Sequence, residues 1–268
     1  MSNVPTRLSF PERFRAGELT LGLISFTQSE VIIEAMALAG LDFVIIDTEH
    51  APTSLETVAR LIRAADAAKI SVLVRFAAVD RHKIQIVLDS GAVGIVISNV
   101  QCADEASALV RATRFQPIGD RGVCAMTRSG RFASDRWQEV MDVQDQAVLT
   151  IALIESPAGL ENVEGITAVE GLDGVFLGPS DLSVSLGIPY QDFTHPEMLH
   201  ALRRIVSAAN RHGTRVVTTL SQRVDREYGA TLVTEGVSTL CYSADNMIFY
   251  SACRDIVKLH DRGALTSA

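Results

Sequence analysis

Four charged side chains stand directly after short apolar runs. Asp47 closes FVIID and is followed by Thr48, Glu49 and His50; Arg75 closes SVLVR; Glu155 closes VLTIALIE. Asp181 follows the run Gly174–Leu177, in the turn Gly178, Pro179, Ser180, Asp181. Each has an ordinary alternative: Asp181 as the cap of the helix DLSVSLG, Glu155 as a rim carboxylate, Arg75 as half of an ion pair, His50 as a satisfied loop histidine. Four of them at the ends of successive apolar runs point instead to one site. Glu155 and Asp181 are 26 residues apart, close to one strand–helix repeat, which puts two carboxylates on adjacent strand ends. Two oxygen ligands with open water positions suit Mg²⁺ or Mn²⁺, and admit Co²⁺. The chain offers no Cys or His pair spaced for zinc. Arg75 then faces an anionic oxygen, and His50 titrates near neutrality. Asp47, three positions before His50, orients the imidazole and raises its basicity. Together these groups suit enolate chemistry beside a carbonyl. The other route to that chemistry, a Schiff-base lysine, is disfavoured, because Lys69, Lys83 and Lys258 do not end strands.

Strand ends matter only if the strands converge. Leu21–Ser25, Phe43–Asp47, Ser71–Arg75, Gly94–Ile97, Val148–Glu155, Gly174–Leu177, Arg215–Thr219 and Ser238–Tyr242 read as eight strands, separated by amphipathic helical patterns. Continuous apolar strands between such helices mark a parallel sheet covered on its outer face. Eight units in 268 residues predict a (β/α)8 TIM barrel, an α/β fold that typically uses about 250 residues and carries its active site where the strands end. Residues 1–268 read as one barrel domain, with a long connection at about 115–147 and a C-terminal helix at about 244–260.

The net charge of −8, from 24 basic and 32 acidic residues, argues against a nucleic-acid surface but leaves room for a small anionic substrate. Cys102, Cys124, Cys241 and Cys253 form no CxxC pair and read as reduced thiols. No apolar run approaches the roughly 20 residues of a membrane span, and the first residues have no signal-peptide core. A cytoplasmic protein is expected.

The segments AGLDFVIIDTEHAP, SVLVR, QPIGDRG, LIES and GVFLGPSDLSVSLG resemble, in this order, the metal-dependent class II pyruvate aldolases, which include hydroxy-oxo-heptanedioate and dehydro-deoxy-glucarate aldolases. The similarity runs from about residue 8 to 260. It implies a (β/α)8 barrel assembled as a homo-oligomer, a hexamer in many members. It also implies reversible aldol cleavage of 4-hydroxy-2-oxo acids to pyruvate and an aldehyde through a metal-stabilised enolate. Carried over by position, the divalent-metal ligands fall on Glu155 and Asp181, the substrate arginine on Arg75, and the acid–base pair on His50 with Asp47. Backbone amides of Gly178, Pro179, Ser180 and Asp181, at a helix start, would hold the substrate carboxylate. The chain departs from the pattern at Leu153, Ile24 and Ser98, where many members carry Gln, Trp and Pro. Two alternatives therefore stand beside the aldolase: an acyl-CoA lyase of the same superfamily, and a catalytically silent oxo-acid-binding paralogue. The cationic stretch Arg121, Gly122, Arg128, Arg131 is either an interface or a phosphate or substrate clamp over the active site. His195, in DFTHPEM, reads as a helix start.

Overall fold

Whether those strand ends converge depends on the sheet closing. The computed structural model describes residues 8–132, 134–190, 192–220 and 225–259. Its strands are β1 (Thr20–Ser25), β2 (Phe43–Asp47), β3 (Ser71–Phe76), β4 (Gly94–Ile97), β5 (Leu149–Ile154), β6 (Gly174–Leu177), β7 (Arg215–Thr219) and β8 (Thr239–Ala244). They form a closed barrel in sequence order, every pair parallel, with β8 returning to β1. The helices are α1 (Phe10–Ala16), α2 (Glu30–Leu38), α3 (Leu55–Ala68), α4 (Arg81–Ser90), α5 (Ala103–Thr113), α6 (Trp137–Ala147), α7 (Pro157–Glu161), α8 (Val163–Thr167), α9 (Pro179–Ser185), α10 (Pro196–His212), α11 (Arg226–Thr234) and α12 (Asp245–Leu259). Local chemistry starts several of them: Ser54 and Asp80 each accept the backbone N–H three residues on, at 3.2 and 3.1 Å, caps worth about 1 kcal/mol apiece. None of the described helices is long and apolar enough to cross a membrane. The fold is the expected (β/α)8 barrel.

Strand residues alternate sides with period 2. Phe43 and Ile45 of β2, Leu73 of β3, Val96 of β4, Leu149, Ile151 and Leu153 of β5, Phe176, Val217 and Cys241 fill the interior. Val44, Ile46, Val72, Val74, Ala152 and Ile154 pack outward against the helices. Asp47 is level with Arg75 in the β2–β3 register, two residues after the pair Ile45 and Leu73. Asp47, Arg75 and, two residues past Leu153, Glu155 therefore continue the inward series as it leaves the apolar interior.

The opposite end is plugged by α1. Phe10 stacks on Phe43 with ring centroids 4.9 Å apart, and Phe14 is fully buried. Gly174 makes room for this plug, since a Cβ there would lie 2.7 Å from the Phe14 ring. Arg13 pairs with Asp42, Arg15 Nε donates to Asp173 at 2.6 Å, and Asp173 also accepts the Thr150 N–H at 2.8 Å.

The connection expected at 115–147 is not all loop. It runs along α4, where Arg121 Nη2 donates to Asp89 at 2.8 Å and the Ser129 N–H to the Asp89 carbonyl at 3.0 Å. It then forms α6, whose Trp137 ring meets Phe115 edge-on at 6.0 Å. The C-terminal helix begins at Asp245; residue 260 lies outside the described residues.

Truncating the plug is expected to open a cavity no neighbour can fill. Phe14→Ala should cost about 3–5 kcal/mol, read as a lower midpoint of urea unfolding, with the active-site end of the barrel unaltered. A shift below about 1 kcal/mol would show that α1 is not part of the core.

Candidate active site

Asp47 is the buried centre of the site. Its carboxylate has no solvent exposure, and Oδ1 accepts from Arg75 Nε at 2.7 Å and from the Glu49 N–H at 3.2 Å. Oδ2 accepts from the His50 N–H at 3.1 Å. The expected contact of Asp47 with the imidazole is thus replaced by one with the His50 backbone. A carboxylate on the last residue of a strand bonds the amides two and three residues on more readily than a ring further out. The His50 ring is 61% exposed, and its Nε2 lies 3.6 Å from Glu49 Oε2. Glu49 is the residue the sequence reading gave no role. Its Oε2 accepts from Ser98 Oγ at 2.5 Å and stands 3.5 Å from Arg75 Nε. The alternation that carries Phe43, Ile45 and Asp47 inward also points to Glu49.

Burial works against the Arg75 charge, but the hydrogen bond to Asp47 and the charges of Asp47, Glu49 and Glu155 outweigh it and hold its pKa above the ordinary value. Its terminal nitrogens carry no hydrogen bond to the described residues, so the guanidinium fork is clamped at one end and available at the other.

Glu155 and Asp181 stand at the ends of β5 and β6. Burial first, then the charges of Asp181 and Glu49, push the Glu155 carboxyl up to about 7, against the opposing pull of Arg75 and of the Asn99 backbone. Among the described residues no group of three or more His, Cys, Asp or Glu is placed to hold a metal; Glu155 and Asp181 line the cavity as a pair. The donor set fits a hard divalent cation: two adjacent carboxylates, crowded enough that one resists ionising. Gly178 keeps the space beside them free, since a Cβ there would lie 2.8 Å from Glu155 Oε2.

The turn that was expected to offer its amides does so only in part. The Gly178 N–H donates to the Ile154 carbonyl at 2.9 Å, and Pro179 has no N–H. The amides of Ser180 and Asp181, in the first turn of α9 and without an intrahelical acceptor, are the ones left.

His50, Arg75, Glu155, Gly178, Pro179, Ser180 and Asp181 line one cavity of about 370 Å³ at the C-terminal ends of the strands. Ile24 and Leu153, both departures from the family pattern, form part of its floor. Ser98 does not line it and instead bonds Glu49. The cavity also takes in Phe26, Tyr190, Phe193 and Met247, which the sequence reading missed because they follow no apolar run ending in a charge. Arg121, Arg128 and Arg131 border a different cavity, of about 590 Å³, beside Val93 and Val148 at the other end of β4 and β5. The clamp considered for them over the active site is not formed. His195 caps α10, and the three lysines lie on α4, on α12 and at the end of α3.

A carboxyl whose pKa is raised by folding favours its protonated form. The metal-free fold should therefore lose stability, relative to the unfolded chain, as pH rises from about 4.5 to about 7. In chelator, the melting temperature of Glu155→Gln minus that of the unsubstituted protein is expected to grow across about pH 5–8. A difference that stays flat over that range would mean that Glu155 is not under charge stress.

A family model for HpcH/HpaI aldolase/citrate lyase matches residues 21–248. A 2-keto-3-deoxy-L-rhamnonate aldolase of Escherichia coli O17:K52:H18 is 35% identical over 239 residues, 87% of this chain and 88% of that protein. The crystal structure of an HpcH/HpaI aldolase from Desulfitobacterium hafniense DCB-2 is 30% identical and superposes with a TM-score of 0.88, covering 94% of this chain and 96% of that one. That of the citrate synthase SbnG is 31% identical, with a TM-score of 0.84 over 96% and 99% of the two chains. Matched over most of its length in both sequence and structure, the chain belongs to the HpcH/HpaI aldolase/citrate lyase family.

Proposed function

We propose that this enzyme, a carbon–carbon lyase of the aldolase class acting on 4-hydroxy-2-oxo acids, releases pyruvate and an aldehyde at the cavity lined by Arg75, His50, Glu155 and Asp181. The observation that carries this reading is the convergence of those four side chains on one cavity where the barrel strands end. Divalent-metal dependence is general in the family, and Glu155 with Asp181 would hold the ion, Mg²⁺ or Mn²⁺, with Co²⁺ also compatible. When bound, the cation supplies positive charge beside the oxo acid and so favours its enolate.

The chain's own groups do the rest. Arg75, clamped at Nε by Asp47, offers its terminal N–H groups to the oxygen that becomes negative in the enolate. A donor fixed before the reaction needs no reorganisation during it. The amides of Ser180 and Asp181 hold the substrate carboxylate. The His50 imidazole, at the mouth of the cavity, takes the proton from the C4 hydroxyl as the C3–C4 bond breaks, and a proton returns to C3 of the enolate to complete pyruvate. In condensation C3 gives up that proton and the imidazole protonates the aldehyde oxygen. Asp47 fixes the backbone under His50, and Glu49 stands beside the ring. Small-molecule oxo acids and aldehydes are the ligands; the enzyme is cytoplasmic and works as a homo-oligomer, a hexamer as the resemblance to the pyruvate aldolases implies.

In deuterated water with Mg²⁺ or Mn²⁺, pyruvate is expected to exchange its C3 hydrogens, and Glu155→Ala to abolish the exchange. No exchange with either cation would favour a silent oxo-acid-binding protein. Lysine cannot copy the two-point donation of a guanidinium, so Arg75→Lys should lose about 100-fold or more in turnover with a smaller change in substrate affinity. His50→Ala should lose about 10² to 10⁴ in aldol cleavage while still binding metal and pyruvate. Near-normal turnover in either variant would remove that residue from the chemistry.

A further inference from the structure

The active-site cavity has two unlike sides. Among the described residues its charged and titratable groups come from the ends of β2, β3, β5 and β6: His50, Arg75, Glu155 and Asp181. On the side built from β1, α12, the end of α9 and the chain after it, the described residues that line the cavity are uncharged. Phe26, Val184, Tyr190, Phe193 and Met247 stand there, above a floor that includes Leu153.

This apolar side is built in advance. The Phe26 N–H donates to Asp245 Oδ1 at 2.8 Å, and the neighbouring Thr27 Oγ to Asp245 Oδ2 at 2.5 Å, which ties the end of β1 to the start of α12. Asp245 is 6% exposed. Phe193 is 5% exposed; its carbonyl accepts from the Tyr228 hydroxyl at 3.3 Å, and its ring lies 6.5 Å from the Tyr228 ring. Val184 and Tyr190, at 62% and 63% exposure, present apolar surface at the mouth that a bound substituent would cover. Among the described residues the polar side chains on this side are neutral hydroxyls, those of Thr219, Ser243 and Tyr190.

Resting on the aldolase reading, we propose that the aldehyde this site takes is apolar. Pyruvate is held on the charged side, and the aldehyde's alkyl or aryl substituent lies against Phe26, Tyr190, Phe193 and Met247. In condensation the pyruvate C3 gives up a proton and bonds to the aldehyde carbon, and the aldehyde oxygen takes a proton; no other reactant is consumed. Each methylene buried on that wall is worth about a fourfold gain. Each substrate hydroxyl stripped of water without a partner costs about tenfold.

The test is condensation of pyruvate with propanal, pentanal and glyceraldehyde, run with Mg²⁺ or Mn²⁺ beside the C3 exchange assay. Propanal and glyceraldehyde share three carbons and differ by two hydroxyls. Propanal is expected to exceed glyceraldehyde in kcat/KM by about tenfold or more, and pentanal to exceed propanal. Phe26→Ser and Tyr190→Ser should each cut the propanal-to-glyceraldehyde ratio at least about fivefold, chiefly through KM; Tyr190 is exposed enough for its variant to fold if the other does not. Exchange with glyceraldehyde equal or preferred overturns the inference and leaves the aldolase reading standing. A ratio unchanged in both variants overturns the role of the wall. Loss of C3 exchange together with all condensation overturns both readings.

Discussion

A carboxylate with no solvent exposure survives in a folded protein only if donors replace the water it has lost. Asp47 meets that requirement with three, the Arg75 Nε and the amides of Glu49 and His50. Each of those bonds does something for the site besides satisfying Asp47. One fixes the guanidinium with its terminal nitrogens toward the cavity, and the other two turn the chain so that Glu49 and His50 come back over the barrel mouth. The charge arrangement around Glu155 and Asp181 is built outward from this anchor, because Arg75 is the cation that faces both Asp47 and Glu155.

The same device recurs around the barrel. Asp245 accepts from the Ser25 hydroxyl, the Phe26 and Thr27 amides and the Thr27 hydroxyl, closing β8 and α12 onto the end of β1. At the opposite end, Asp42 accepts the Leu21 N–H at 2.9 Å and pairs with Arg13, and Asp173 gathers Arg15, Arg114 and Thr150. At the C-terminal end of the strands the carboxylates outnumber the cation they surround. There Glu49 and Glu155 act on Arg75 while Asp181 acts on Glu155, and burial together with the charges of Asp181 and Glu49 drives the Glu155 carboxyl up to about 7. A (β/α)8 barrel keeps its stabilising contacts at one end and its chemistry at the other, and the electrostatics of this chain divide in the same way.

The strands were legible because a parallel barrel buries both faces of each, leaving unbroken apolar runs such as FVIID and SVLVR. Period 2 then decided which residues share a side, and the inward series through Phe43 and Ile45 leads to Asp47. Helix α6 was not legible: WQEVMDVQDQA has few apolar positions, and none of its residues is buried. What holds it is in part an edge-on contact of Trp137 with Phe115, far back along the chain.

By itself the sequence determined the barrel, the order of its strands and the identity of the charged groups at their ends, since those follow from side-chain alternation and from where apolar runs stop. Only the tertiary structure decided that Asp47 bonds the backbone of His50 rather than its ring, that Glu49 answers to Ser98, 49 residues away, and that Asp245 holds Phe26 across 219 residues. It alone sent the arginine-rich stretch to the far end of the barrel. Loop direction and contacts between distant segments are set by closure of the barrel, where donors and acceptors must find partners at once in three dimensions, and no periodicity along the chain encodes that requirement.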